Sequence, residues 1–368
     1  MIYLDYNSTT PLDQEVLDEM LPYFKSHFGN AHSAMHEFGW KANGAVEKAR
    51  KQVANLLNCE DNEITFNSGS SEGLNYALKG LYEKFSKHKN HIITVKTEHV
   101  AVYETCKYLE LKGAEVTYLD VDKDGKIDIA QLKASIRPET FLASIMIVNN
   151  ETGVVQDMKA ISDVCKDQGV ILMSDATQAI GKVSLDVQAL GIDITVISAH
   201  KIYGPKGVGA LYARRKSPRV SILPLMHGGS QEEGKRAGTL NVPGIVGLGK
   251  ACEMAKTNIN YHPLSSKLEQ ALIALGCKII GHFDDRVGNV VNVCVGINIH
   301  EFLKPINSKI AVLLGSACSS VTGKPSRVLT AMGLNSEEMK QCMRISLGKY
   351  TTSDDVDRVI KIFQEALK

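Results

Sequence analysis

Between residues 63 and 212 short apolar, β-branched runs alternate with longer stretches of helical periodicity, and that alternation leaves few folds open. The runs at 63–66, 92–95, 115–119, 143–148, 170–173, 194–198 and 208–212 read as strands. Helical patterns begin near Ser71 and cover 99–111, 130–135 and 158–168. Several runs are apolar throughout, which suits strands buried on both faces. Strands alternating with helices build an α/β domain around a mainly parallel sheet.

The residues just past the strand ends carry chemistry. His99, Asn150, Asp175 and Lys201 each follow a strand, on the rim where open α/β sheets bind ligands. Singly, each has an ordinary reading: Asp175 as a cap, Asn150 as a turn residue, His99 as a helix start and Lys201 as a solvated lysine. Four polar groups on one rim favour a shared site. Lys201 closes the run I-T-V-I-S-A-H-K, and a lysine at the end of a buried strand is placed to have its pKa lowered and to form a Schiff base. In N-S-G-S-S-E, backbone N–H groups at the start of a helix and the hydroxyls of Ser70 and Ser71 can hold a phosphate. No Gly-Lys-Ser/Thr follows, so this is not a nucleotide-binding P-loop. A Schiff-base lysine, an aspartate, a histidine and a phosphate-binding helix start together point to pyridoxal 5′-phosphate (PLP). The aspartate keeps a pyridine nitrogen protonated, so that the ring acts as an electron sink.

Outside this region the pattern changes. Helices are expected at 14–24 and 41–57. After about residue 250, helical patterns at 264–275, 327–332 and 353–367 mix with apolar runs at 287–295, 310–314 and 343–347. This reads as a smaller α+β unit, giving a large domain over 13–250 and a small one from 1–12 and 251–368. With 368 residues, 44% hydrophobic content and a formal net charge of +1, the chain offers no electrostatic case for nucleic acid or an anionic membrane as its main partner. No apolar run approaches the roughly 18 residues that span a bilayer. The N-terminus lacks the regions of a signal peptide, and a cytoplasmic location is expected. Eight cysteines without a C-x-x-C pair argue against a disulfide framework or a zinc site. Cys106, Cys165 and Cys294 read as small buried hydrophobes. Cys318 differs, because the small and turn-forming residues of G-S-A-C-S-S-V-T-G-K-P read as an exposed loop. His32 and His36 have no further ligand beside them and read as structural; no metal is expected.

Ordered motifs then run nearly end to end: L-D-Y-N-S-T-T-P, S-G-S-S-E, K-T-E-H, V-N-N-E-T-G, D-A-T-Q, S-A-H-K-I-Y-G-P-K-G, H-G-G-S-Q-E-E-G-K-R-A-G-T, G-S-A-C-S-S and R-I-S-L-G. On these the chain resembles a cysteine desulfurase of the NifS/IscS type, within the class V aminotransferase-like family of PLP fold type I. The resemblance implies a large domain with a mixed, mainly parallel seven-stranded sheet between helices, and a smaller α+β domain carrying a catalytic cysteine loop at about 315–325. It implies that Lys201 carries PLP, Asp175 pairs with the pyridinium nitrogen, Gln178 contacts the phenolic oxygen and His99 stacks on the ring. Ser70, Ser71, Ser198 and His200 would bind the phosphate, with Thr239 supplied by the neighbouring subunit of a homodimer. Asn150 and Arg344 would hold the carboxylate of L-cysteine. The thiolate of Cys318 would take the substrate sulfur as a persulfide and pass it to an acceptor protein, such as an iron–sulfur scaffold or a component of tRNA thiolation or DNA phosphorothioation. Selenocysteine lyase activity and a catalytically inactive adaptor are the alternatives; retention of Lys201, Asp175, Cys318 and Arg344 argues against the adaptor. The chain departs from the family pattern at Ser8, Ala31-His32, Ser71, Glu233 and V-L-L before Gly315. These departures bear on partner and entrance surfaces rather than on the reaction.

Overall fold

The structure is a computed structural model, and it describes residues 1–216, 218–255, 260–281, 284–314 and 325–368. The first part of the chain forms β1 (Ile2–Tyr3), α1 (Gln14–Lys25), α2 (Glu37–Leu57), β2 (Ile64–Asn67), α3 (Ser70–Phe85), β3 (His91–Val95), α4 (Val100–Glu110) and β4 (Glu115–Leu119). It continues with α5 (Ile129–Ser135), β5 (Thr140–Ser144), α6 (Met158–Asp167), β6 (Ile171–Asp175), β7 (Ile194–Ser198), β8 (Gly209–Ala213) and α7 (Val242–Met254). The last part contains α8 (His262–Ala274), β9 (Lys278–Ile280), β10 (Val290–Cys294), α9 (Ile299–Leu303), β11 (Ile310–Ala311) and β12 (Leu313–Leu314). It ends with α10 (Arg327–Ala331), α11 (Ser336–Met339), β13 (Cys342–Ser346) and α12 (Ser353–Ala366).

Seven strands form one sheet in the order β2-β8-β7-β6-β5-β3-β4. Only β8 runs against its neighbours; the pairs β3–β4, β3–β5, β5–β6 and β6–β7 are parallel. Successive strand residues point to opposite faces, and each face has its own core. Ile93, Ala143, Leu172 and Ile197 pack with α1, α2, α6 and α7. Their neighbours Ile92, Leu142, Met173 and Val196 pack with α3 and α4. That two-sided burial is why these runs carry no polar alternation.

Three elements differ from the sequence expectation. Helix α2 starts at Glu37 rather than 41 because the His36 ring accepts from Gly39 N at 3.2 Å and caps it. The strand expected at 143–148 is β5 at Thr140–Ser144; beyond it the chain still bonds along β6, Ile145 N to Met173 O at 3.0 Å and Ile147 N to Asp175 O at 3.1 Å, and so carries Asn150 to the rim. Helix α7 gave no sequence signal because glycines interrupt it. Two of them are sites of close approach: a Cβ at Gly247 would lie 2.5 Å from Met20 Sδ, and one at Gly249 would lie 2.7 Å from Ala49 Cα.

The C-terminal part builds a four-stranded antiparallel sheet, β12-β13-β10-β9, with α8, α9 and α12 packed on one face. The N-terminus joins this core through parallel pairing of β1 with β11. The opposite face carries Cys294, Cys342, Val328 and Leu329. Cys294 is buried, but it is not a free thiol: it opposes Cys342 across β10 and β13 and is bonded to it. Strand register, not sequence spacing, makes that pair. Among the described residues no helix is long and apolar enough to cross a membrane.

Candidate active site

A cleft of about 600 Å³ opens at the carboxyl ends of the parallel strands. Ser70, Ser71, His99, Asn150, Asp175, Gln178, Ser198, His200, Lys201 and Arg344 all line it. Thr239 is exposed and does not line the cleft of its own chain. Cys318 lies outside the described residues; Leu313, on the strand that leads toward it, lines the cleft.

Lys201 ends a turn of 3₁₀-helix after β7. Its Nζ donates to two main-chain oxygens, Asn7 O at 2.6 Å and Ser8 O at 2.8 Å. Burial lowers its pKa to about 8, the Arg344 cation acts the same way, and Asp175 and Asp5 oppose them. An amine with that value is neutral over a useful part of the physiological range, as an imine-forming nucleophile requires. Asn7 connects much of the site. Its carbonyl also accepts from Gln178 Nε2 at 2.9 Å, and its Nδ2 donates to Asn150 O at 3.2 Å. Nothing in the D-Y-N-S-T-T-P motif marks Asn7 for this role, since its partners Asn150 and Gln178 lie more than a hundred residues away in sequence.

Asp175 ends β6 and is 5% exposed. It accepts from Thr177 N at 2.8 Å and from the Thr177 hydroxyl. His99 caps α4, its Nδ1 accepting from Ala101 N at 3.2 Å. Burial lowers the His99 pKa; Asp175 opposes this, and Lys201 and Arg327 reinforce it. Burial also brings His200 to about 4, helped by Lys201 and Lys206, so this ring is neutral near pH 7. Behind His99, the Glu98 carboxyl accepts from Met146 N at 2.5 Å, while its second oxygen is buried without a partner. Burial first, and Asp175 second, raise the Glu98 pKa well above the usual carboxylate value.

Helix α3 begins at Gly69, which has φ of 138° and offers no side chain to cap the first turn. The amides of that turn and the hydroxyls of Ser70, Ser71 and Ser198 therefore face a common corner of the cleft. Gly209 allows the approach: a Cβ there would lie 2.7 Å from Gly69 Cα. Glu72 braces the corner, accepting from Ser68 N at 2.8 Å and from Arg236 Nε at 2.9 Å. These residues fit a phosphate, and with Lys201 and Asp175 they fit a phosphorylated pyridine aldehyde.

Arg344 projects from β13, its side chain 4% exposed. NH1 donates to Asn150 O at 2.8 Å; NH2 donates to Asp5 Oδ1 at 2.8 Å and Ser8 Oγ at 2.9 Å. Its Nε is buried with no partner, an orphan donor that a carboxylate in the cleft would satisfy. Ser8, one of the family departures, thus accepts directly from the Arg344 guanidinium. Glu233, another, pairs with Arg215 at 3.0 Å and Lys235 at 3.2 Å, away from the cleft.

Comparison with known proteins follows this geometry. The model of the family described as aminotransferase class-V matches residues 2–359. A cysteine desulfurase IscS from Anaeromyxobacter dehalogenans is 44% identical over 376 aligned residues, covering 100% of this chain and 92% of that protein. A solved structure titled NifS-like protein superposes with a TM-score of 0.93 at 38% identity, covering 100% of this chain and 99% of that one. Another, titled SspA in complex with cysteine, gives 0.85 at 37% identity, covering 96% and 100%.

Proposed function

The chain belongs to the aminotransferase class-V family, whose cysteine desulfurase members it matches over its whole length, and from that premise we propose how it works as a cysteine desulfurase. The cofactor is PLP, which when bound supplies an electron sink for the bonds around the amino acid's Cα. Lys201 would hold it, and the free amine of the same residue would move the Cα proton of the amino acid. Asp175 would keep the cofactor's ring nitrogen protonated, Gln178 would donate to its phenolic oxygen, and His99 would pack against the ring. The corner formed by Ser70, Ser71, Ser198 and His200 takes the phosphate, with Thr239 of a second subunit completing it in a homodimer. Arg344 and Asn150 bind the carboxylate of L-cysteine; a guanidinium fork suits two oxygens at once.

The thiolate of Cys318 attacks the substrate sulfur. The C–S bond breaks, its electron pair stays with the carbon skeleton, and protonation there gives L-alanine. Cys318 keeps the sulfur as a persulfide and hands it to an acceptor protein of iron–sulfur assembly, tRNA thiolation or DNA phosphorothioation.

The observation that carries this reading is the Lys201 amine, lowered to about 8, sharing one cleft with the orphan Nε of Arg344. The test is product balance. Protein loaded with PLP is expected to be yellow and, under reductant, to release alanine and sulfide from L-cysteine in equal amounts. Cys318→Ser is expected to keep the colour and release no sulfide. A protein that stays colourless with added PLP, or a Cys318→Ser variant with normal sulfide output, would overturn the assignment.

A further inference from the structure

We propose that Lys182 is a positioning residue for the reaction: its amine fixes the side-chain amides of Gln178 and Asn7, so that Gln178 presents its NH2 group to the cleft and Asn7 holds Lys201. The proposal rests on the cofactor reading above. It concerns a lysine to which neither motif nor site chemistry has given a role.

Lys182 follows Gln178 in D-A-T-Q-A-I-G-K. Its Nζ donates to Gln178 Oε1 at 2.5 Å and to Asn7 Oδ1 at 2.9 Å. Because the amine occupies Oε1, the Gln178 amide has one orientation, with Nε2 directed to Asn7 O at 2.9 Å. That same carbonyl accepts from Lys201 Nζ at 2.6 Å. Asn289, 2% exposed, adds a second donor to Asn7 Oδ1 at 3.0 Å. The result is one connected set of bonds from Lys182 through two amides to the Schiff-base lysine. A terminal amide torsion is soft and nearly two-fold, so an external donor on Oε1 is what selects between its two faces.

The bonding pattern also explains why a lysine stands here without a carboxylate. Both of its acceptors are neutral amide oxygens. Burial pushes the Lys182 pKa well below the ordinary lysine value, and the Lys201 and Arg344 cations push the same way. A neutral amine still has two N–H donors, matching the two oxygens to be satisfied. The acids of the site, Asp175 and Asp5, act on Lys201. Asp13 is engaged by Lys349, which lines with Lys182 a second cavity of about 400 Å³ behind Lys201. The role needs donors rather than charge.

The test uses the PLP-loaded protein and follows its visible band against pH. A Gln178 amide held as a donor stabilises the deprotonated phenolic oxygen; once it is free to turn, that oxygen holds a proton more tightly. Lys182→Met is therefore expected to raise the pH midpoint of the band by about one unit and to lower kcat/KM for cysteine roughly tenfold. Gln178→Met should shift both in the same direction, and the midpoint of the double variant should go no further than that of Gln178→Met alone, because Lys182 reaches the phenolic oxygen through that amide. Lys182→Gln, which keeps an NH2 donor group on a shorter side chain, should fall between wild type and Lys182→Met; it serves if the methionine variant fails to fold. An unchanged midpoint, or effects of Lys182→Met and Gln178→Met that simply add, would overturn the inference. A wild-type protein without a visible band would instead overturn the cofactor reading.

Discussion

Lys201 is the residue whose chemistry depends most on its surroundings. Only the neutral amine attacks an aldehyde, and burial has lowered its pKa from 10.5 to about 8. The neutral fraction therefore grows as pH rises through about 8, and the rate of PLP capture by cofactor-free protein should rise with it and level off above. Stopped-flow measurement of that rate checks this; a rate still climbing steeply at pH 10 would mean that burial is not acting on the amine. Arg344→Lys keeps a charge but loses the fork. It should raise KM for cysteine by about tenfold with a smaller change in kcat, read from steady-state kinetics. Much at this scale was legible in the sequence, because Asp175 ends a strand, His99, Asn150 and Lys201 follow strands, and all four line one cleft. Asn7, Glu98 and Lys182 were not legible as site residues. Their importance comes from hydrogen bonds and burial created by chain segments far apart in sequence.

At the scale of elements, Glu232 ties its turn to both α2 and β2. Glu232 lies on a turn at positive φ, 49°, and its side chain is 1% exposed. It receives Arg50 of α2 through both NH groups, at 3.0 and 2.7 Å, and Phe66 N of β2 at 2.7 Å. Glu232→Gln leaves the Arg50 charge, 12% exposed, without its buried counter-ion. The expected loss of unfolding free energy is about 3 kcal/mol, measured by denaturant titration; a loss under about 0.5 kcal/mol, the scale of a surface pair, would contradict it. Strand and helix identities followed from periodicity wherever one face was apolar. They failed at α7, where helix–helix contact demands glycine, and at β5, where the apolar run outlasts the ladder. The Cys294–Cys342 pair was invisible for the same kind of reason, since only antiparallel register brings residues 48 positions apart face to face.

At the scale of the whole molecule, the surface between α1 and α2 carries an apolar group left uncovered by the described residues. Phe24, Phe28, Met35, Phe38 and Trp40 are 59%, 66%, 90%, 50% and 60% exposed. Scattered apolar residues are ordinary, but a contiguous aromatic group suits an interface, and the proposed homodimer supplies one. Trp40 is the only tryptophan of the chain, so its emission should shift to the red on dilution as that interface opens, in step with the mass measured by sedimentation. A monomer at all concentrations would contradict both. The seven-stranded α/β architecture was legible because it rests on repeated local patterns, whereas the proposed dimer would rest on a surface that no periodicity marks. The proposed reaction depends on Lys201 preparing cysteine and on Cys318 receiving its sulfur. The most direct measurement is peptide mass mapping, without reductant, of PLP-loaded protein after one turnover with sulfur-labelled L-cysteine. The account predicts one labelled sulfur on the peptide containing Cys318, and none in Lys201→Ala. Alanine formed in full while that peptide stays unlabelled would contradict it.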